Sequence, residues 1–247
     1  MVRLHVDPER LAGETVVVTD EDHRYLTRVL RLATGSRVTL FDGRGVEADA
    51  EVIRVGPRAV ELRVLARREA PPPRGPTLTL IQALARGEKL DLVVQKTTEL
   101  GVHRILPVTT ARAVPRLEPL RSSSRLARWQ KIATQAARQS GRADVPEVQP
   151  VVGFPIAIAA APRDALKLLL FEGAKGQGLK QALGSIESPP ATVVVAIGPE
   201  GGFTDEEVAR AKEAGFTVAG LGPRILRTET AALVALAIVG YALGDLG

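Results

Sequence analysis

From Thr77 onward the chain alternates short apolar runs with longer stretches of helical periodicity, a rhythm that leaves few folds open to it. Strands are expected at Thr77–Gln82, Arg104–Pro107, Lys167–Phe171, Thr192–Ile197 and Thr217–Leu221. Helices are expected at Glu88–Leu100, Ser124–Gln139, Gly178–Ser185, Asp205–Ala214 and Thr228–Leu243. Strands that take turns with helices predict an α/β domain built on a parallel sheet. Gly101 stands where a C-cap belongs, and Thr204 with Glu207 three residues on spells a capping box for the fourth helix.

The rhythm before this point is different. Pro71-Pro72-Pro73-Arg74-Gly75-Pro76 can continue neither a helix nor a central strand and reads as a stiff linker. Upstream of it, Thr15–Val18, Arg37–Phe41, Val46–Val55 and Ala59–Leu65 alternate or are β-branched, with turns at Asp42-Gly43-Arg44-Gly45 and Gly56-Pro57. One helix is expected among them, over Asp20–Leu32, with Leu26, Val29, Leu30 and Ala33 at helical spacing. The pattern predicts a small β-barrel over residues 1–70, a linker at 71–76, and the α/β domain over 77–247.

Composition excludes several chemistries. The 247 residues contain no cysteine, which removes disulfides, thiolate zinc sites, iron–sulfur clusters and a thiol nucleophile. The three histidines, His5, His23 and His103, have no metal-ligand spacing, and no metal is expected. The first eight residues lack the apolar core of a secretory signal. The longest apolar run, Ala231–Ala242, suits a buried helix better than a membrane span, so a cytoplasmic location is expected.

Charge is unevenly distributed. Residues 1–73 carry 12 basic and 12 acidic side chains, residues 74–142 carry 13 and 4, and residues 143–247 carry 8 and 12. The surplus in the middle points to a polyanion-facing surface. Between 104 and 142 lie Arg104, Arg112, Arg116, Arg121, Arg125, Arg128, Lys131, Arg138 and Arg142 against the single acid Glu118. A solvated helix face is the plain alternative, although such faces usually mix signs. In the upstream helix, Arg24, Arg28 and Arg31 fall along one side with His23 and Tyr25 nearby, a set able to grip phosphates and stack on an unpaired base; an amphipathic helix with exposed arginines is the equal alternative.

Two glycine-rich turns end apolar strands and open helices: Ile197-Gly198-Pro199-Glu200-Gly201-Gly202-Phe203-Thr204, and Leu221-Gly222-Pro223-Arg224-Ile225-Leu226-Arg227-Thr228-Glu229-Thr230-Ala231. Ligands bind at the carboxyl ends of parallel strands, and glycines there let backbone approach closely. Neither turn has the Gly-Lys-Ser/Thr ending of a P-loop, and Gly173–Gly178 lacks dinucleotide spacing and reads as a loop.

In these two turns the chain resembles the SPOUT-class methyltransferases, and more narrowly the family that methylates N3 of a uridine in small-subunit (16S) ribosomal RNA. Gln95-Lys96-Thr97-Thr98-Glu99-Leu100-Gly101-Val102, Gln139-Ser140-Gly141-Arg142, Arg28-Val29-Leu30-Arg31-Leu32 and Leu40-Phe41-Asp42-Gly43 carry the likeness over nearly the whole chain. The resemblance implies a PUA-like RNA-binding barrel, a methyltransferase domain whose C-terminal segment forms a trefoil knot, and a two-fold homodimer. It implies S-adenosylmethionine as methyl donor, held by Phe171, Glu172, Ile197, Gly198, Pro199, Glu200, Gly201, Gly202, Leu221, Gly222, Ile225, Leu226, Thr230 and Ala231. Arg3, His23, Arg24, Arg28, Arg31, Arg138 and Arg142 are the candidate RNA contacts.

The residues agree with that chemistry. A sulfonium donor needs no metal, and methylation at pyrimidine carbon 5 usually needs a cysteine that this chain lacks, whereas nitrogen and oxygen targets fit. Uracil N3 must lose a proton, so rate depends on positioning and on stabilising an imide anion. Arg227 is the candidate for facing that anion or the target's phosphate, with Glu229 orienting it or helping move the proton; a structural clamp is the other reading of Arg227. A ribose 2′-O or guanine-N1 methyltransferase acting on transfer RNA, or a non-catalytic RNA-binding assembly factor, are the rival functions.

Overall fold

The computed structural model describes residues 2–72, 74–113, 119–174 and 178–246, without the side chains of 119–122. Within these the chain forms two compact units: Met1–Pro72 with Ala137–Val145, and Pro73–Ala136 with Pro146–Gly247.

The first unit is a five-stranded sheet in the order β1 (Val2–His5), β3 (Arg37–Phe41), β4 (Val46–Val55), β5 (Ala59–Glu69) and β2 (Thr15–Thr19). The β1–β3 pair is parallel and the others antiparallel. Alternation along every strand sends one set of side chains to a shared core: Leu4, Val16, Val18, Val38, Leu40, Ala50, Val52, Val60 and Leu62. A sheet whose five strands feed one cluster curls around it, and its open order from β1 to β2 makes it a half-barrel where the turn pattern predicts a small β-barrel. Helix α1 (Pro8–Leu11) adds Leu11 to the same core. Strand β1 and helix α1 escape sequence analysis because each is only four residues long.

The expected helix over Asp20–Leu32 is corrected. An α-helix, α2, covers Asp20–Arg24 and passes into a π-helical turn over Tyr25–Val29, closed by Leu30 N–H donating to Tyr25 O. Arg31 then takes φ +52, outside the helix. Leu26, within the π turn, is fully buried, while Arg24, Arg28 and Arg31 are exposed without sharing one straight helical face.

Residues 137–145 complete this unit. Asp144 bridges to Gly43 and Arg44, and Val145 N–H donates to Gly43 O at 3.0 Å. The Arg138 guanidinium lies 4.4 Å from the centre of the Tyr25 ring and 3.9 Å from Asp22. Burial pushes the Asp22 carboxyl above its ordinary value despite that guanidinium.

The second unit is a parallel sheet in the order β12 (Thr217–Ala219), β10 (Leu166–Leu170), β11 (Thr192–Ile197), β6 (Thr77–Ala83), β7 (Arg104–Thr109) and β8 (Glu147–Val148). A further short strand, β9 (Val152–Gly153), also pairs with β7. Pro150 falls between β8 and β9, where it has no N–H for a ladder, and splits this edge in two. On one face, α5 (Phe154–Ala159) and α7 (Asp205–Glu213) bury Phe154, Ile158, Val208 and Ala211 with Phe203 and Phe216. Helices α3 (Lys89–Glu99) and α8 (Thr228–Ala242) pack on each other and bury Leu90, Val93, Val94, Leu236 and Val239.

The remaining helices are α4 (Pro119–Ser140) and α6 (Leu179–Gly184). Gln130 on α4 donates to Pro146 O and accepts from Val148 N–H, which seats β8. The predicted caps are present: Gly101 follows α3 at φ +87, and Thr204 and Glu207 form the reciprocal capping box of α7 at 3.2 and 2.9 Å. Among the described residues, no helix is long and apolar enough to cross a membrane.

Candidate functional site

Three adjacent parallel strands deliver the site. Leu170 is in register with Ile197 and with Ala219, so the carboxyl ends of β10, β11 and β12 lie side by side although the chain separates them widely. The segments leaving those ends line a cavity of about 260 Å³. Of the residues expected to hold a donor, it gathers Phe171, Glu172, Ile197, Gly198, Pro199, Glu200, Gly202, Leu221, Gly222, Ile225, Leu226 and Ala231. Leu170, Pro223, Arg224, Arg227 and Thr228 join them. Gly201 and Thr230 do not line it; Gly201 lies instead against Arg112, whose guanidinium donates to Gly201 O at 3.0 Å and Phe203 O at 3.3 Å.

Glycine is required at specific points. Gly202 has φ +67, and a Cβ there would overlap Glu172 Oε1. A Cβ on Gly198 would press on the Phe203 ring at 3.2 Å, while Gly222, at φ +111, faces open space. The result is a slot with apolar walls and main chain at close range, the surroundings an adenine ring and a ribose call for. Ile225 is 85% exposed at the cavity.

A hydrogen-bond relay joins the two turns. Thr228, at the start of α8, donates to Gly198 O at 2.6 Å, and Gln82 at the end of β6 donates through Nε2 to Thr228 Oγ1 at 2.9 Å. Gln82 is fully buried, and its Oε1 has no hydrogen-bond partner among the described residues. Sequence analysis missed Gln82, since a glutamine ending an apolar strand carries no motif; its register opposite Ile197 is what places it here.

Lys89, the first residue of α3, was also missed. Its Nζ donates to Glu200 Oε1 at 2.9 Å and lies 3.6 Å from Glu229 Oε2. The hydrogen bond to Glu200 holds the Lys89 ammonium above its ordinary range. Burial pushes the Glu200 carboxyl up, but the Lys89 ammonium and the backbone N–H groups of Glu200 and Arg86 outweigh it, and the net shift is downward. Arg227 is exposed and lines the cavity, whereas Glu229 is largely buried, does not line it, and faces Lys89.

The candidate RNA contacts divide in two. Arg24, Arg28 and Arg31 are exposed, and His23 Nε2 donates to Gly56 O at 2.9 Å. Arg3, Arg138 and Arg142 are engaged within the protein. Arg3 pairs with Glu47 at 2.6 Å and donates to Arg142 O, Arg138 covers Tyr25, and Arg142 pairs with Asp144. Along the central basic stretch, Arg128 pairs with Glu88 and Asp91, and Arg104 with Glu147. Arg116 and the Arg121 side chain lie outside the described residues, as do Lys175, Gly176 and Gln177 of the expected loop.

Comparison with known proteins gives this arrangement its family. Residues 73–240 match the family model of an RNA methyltransferase domain, and residues 18–65 that of an RNA methyltransferase PUA domain. The chain is 34% identical to the ribosomal RNA small subunit methyltransferase E of Bacillus subtilis, over 92% of this chain and 90% of that one. The chain belongs to the ribosomal RNA small subunit methyltransferase E family. Among solved structures, that of the family member from Neisseria gonorrhoeae bound to S-adenosyl methionine superposes with a TM-score of 0.89 at 36% identity over the whole of both chains. A putative methyltransferase from Legionella pneumophila in complex with S-adenosylmethionine gives 0.88 at 33% identity, covering 98% of this chain and 97% of that one. The family's two-part order, PUA domain before methyltransferase domain, is the order of the curled sheet and the parallel sheet here.

Proposed function

We propose that this protein transfers a methyl group from S-adenosylmethionine to N3 of a uridine in 16S ribosomal RNA. The observation that carries the reading is the cavity between the two glycine turns, in a chain that matches donor-bound relatives along its full length. Its residues fit the donor: glycines clear the slot, Leu221, Ile225 and Leu226 supply apolar contact, and backbone groups are within reach. When bound there, S-adenosylmethionine supplies an electrophilic methyl group on a sulfonium.

The chain's own side chains then serve the acceptor. Arg227, exposed where the second turn enters α8, offers its guanidinium to the uracil imide as negative charge develops. Glu229, in the first turn of the same helix, assists in moving the N3 proton. Backbone recognition of RNA falls chiefly to Arg24, Arg28 and Arg31, with His23, Arg3, Arg138 and Arg142 shaping the same unit. The working enzyme is a two-fold homodimer in the cytoplasm, and its C-terminal segment is threaded as a trefoil knot.

The deciding experiment incubates the protein with radiolabelled donor and small ribosomal subunits that lack the modification, then maps the labelled base. Label at N3 of one uridine is the expected result. Label on a ribose, or in transfer RNA alone, would transfer the reading to another member of the class.

A further inference from the structure

A single ammonium reaches both glycine turns. Lys89 Nζ is hydrogen-bonded to Glu200 on the first turn and lies 3.6 Å from Glu229 Oε2 at the start of α8. The second separation is too long for a hydrogen bond, so this attraction is one of charge alone. Glu229 Oε2 is buried and has no hydrogen-bond partner among the described residues. A buried carboxylate oxygen in that state is costly, and the ammonium beside it is what offsets the cost. The other groups that face Lys89 and Glu200 are the Arg227 guanidinium, whose field acts on Lys89, and the Arg86 N–H, which donates to Glu200 Oε1 at 3.1 Å.

Both carboxylates are coupled to the cavity. Glu200 lines it directly. Glu229 follows Thr228, which lines it and is bonded to Gly198 O. The first residue of α3 therefore holds one wall by its rim and the other by its helix.

We propose that Lys89 is a positioning residue of the donor site: by binding Glu200 and Glu229 together, it fixes the separation of the two turns and so the width of the cavity between them. This rests on reading that cavity as the donor site. Lys89 acts through the two carboxylates and not through contact with the donor or the RNA. An exposed ion pair alone contributes little; the effect here comes from Glu229, which loses the ammonium beside it and swings out, taking the start of α8 with it.

The test is calorimetric titration of the full-length protein with S-adenosylmethionine and S-adenosylhomocysteine, alongside binding of small-subunit ribosomal RNA. Lys89→Met is expected to weaken both small ligands about tenfold, and Lys89→Gln to do the same should the methionine variant fold poorly. Lys89→Arg should restore most of the affinity. Adding Glu229→Gln to Lys89→Met should recover part of it, because no charge is left stranded. RNA affinity should stay at the wild-type value throughout. Wild-type donor affinity in both Lys89→Met and Lys89→Gln would overturn the inference while leaving the donor reading intact. A parallel fall in donor affinity, RNA affinity and melting temperature, with Lys89→Arg no better than Lys89→Met, would overturn it as well, since that is a general structural defect. Absence of donor binding by the wild-type protein would remove the donor reading and this inference together.

Discussion

Arg227 and Gly202 show how much of the site depends on single residues. Arg227 is exposed at the cavity, so Arg227→Ala is expected to leave donor affinity within roughly threefold while methyl transfer falls about a hundredfold or more. Single-turnover assays beside calorimetry would separate the two effects, and wild-type turnover would take Arg227 out of the mechanism. Gly202→Ala must place a Cβ at φ +67 and displace Glu172, at a cost of about 1–2 kcal/mol in stability with weakened donor binding, measurable by denaturant titration. The charged pair beside them has a definite pH signature. The depressed Glu200 carboxyl contributes above its ordinary value of 4.5 and is lost as pH falls through its folded value. The raised Lys89 ammonium contributes below its ordinary value of 10.5 and is lost as pH rises through its folded value. Donor affinity should therefore be flat between about pH 6 and about pH 9, and a break within that window would reveal another titrating group in the slot.

At the scale of elements, the sequence was most legible where local rules act alone. The capping box of α7 is written in Thr204 and Glu207, and Thr204→Ala should cost about 1 kcal/mol, seen as a melting temperature lower by roughly 2–4 °C. The glycine turns were equally readable, because the need for a missing Cβ is local. What escaped was anything created by register. Gln82 enters the site only because β6 lies beside β11, and Lys89 only because α3 packs on α8. The π turn at Tyr25–Val29 was hidden for a related reason: Leu26 is buried within it, and a helical pattern looks the same until that packing is known. The exposed arginines around it still make a clear prediction. Replacing Arg24, Arg28 and Arg31 together should lower the salt slope of RNA binding by up to roughly 2, at about 0.7 per phosphate contact. An unchanged slope would clear this segment of phosphate binding.

For the whole molecule, charge counting along the chain overstated the free positive surface. Arg104, Arg128, Arg138 and Arg142 meet Glu147, Glu88, Asp91, Asp22 and Asp144, acids that all lie outside residues 104–142. The division of the chain has a practical consequence. Because Ala137–Val145 returns to the first unit, the proline run is not a seam at which the protein can be cut cleanly. A fragment stopping at residue 72 would lack the backbone that pairs with Gly43 and the guanidinium that lies on Tyr25, and would present a raw strand margin to its neighbours. Such a truncation should self-associate, whereas the same piece fused to residues 137–145 through a short linker should stay in solution.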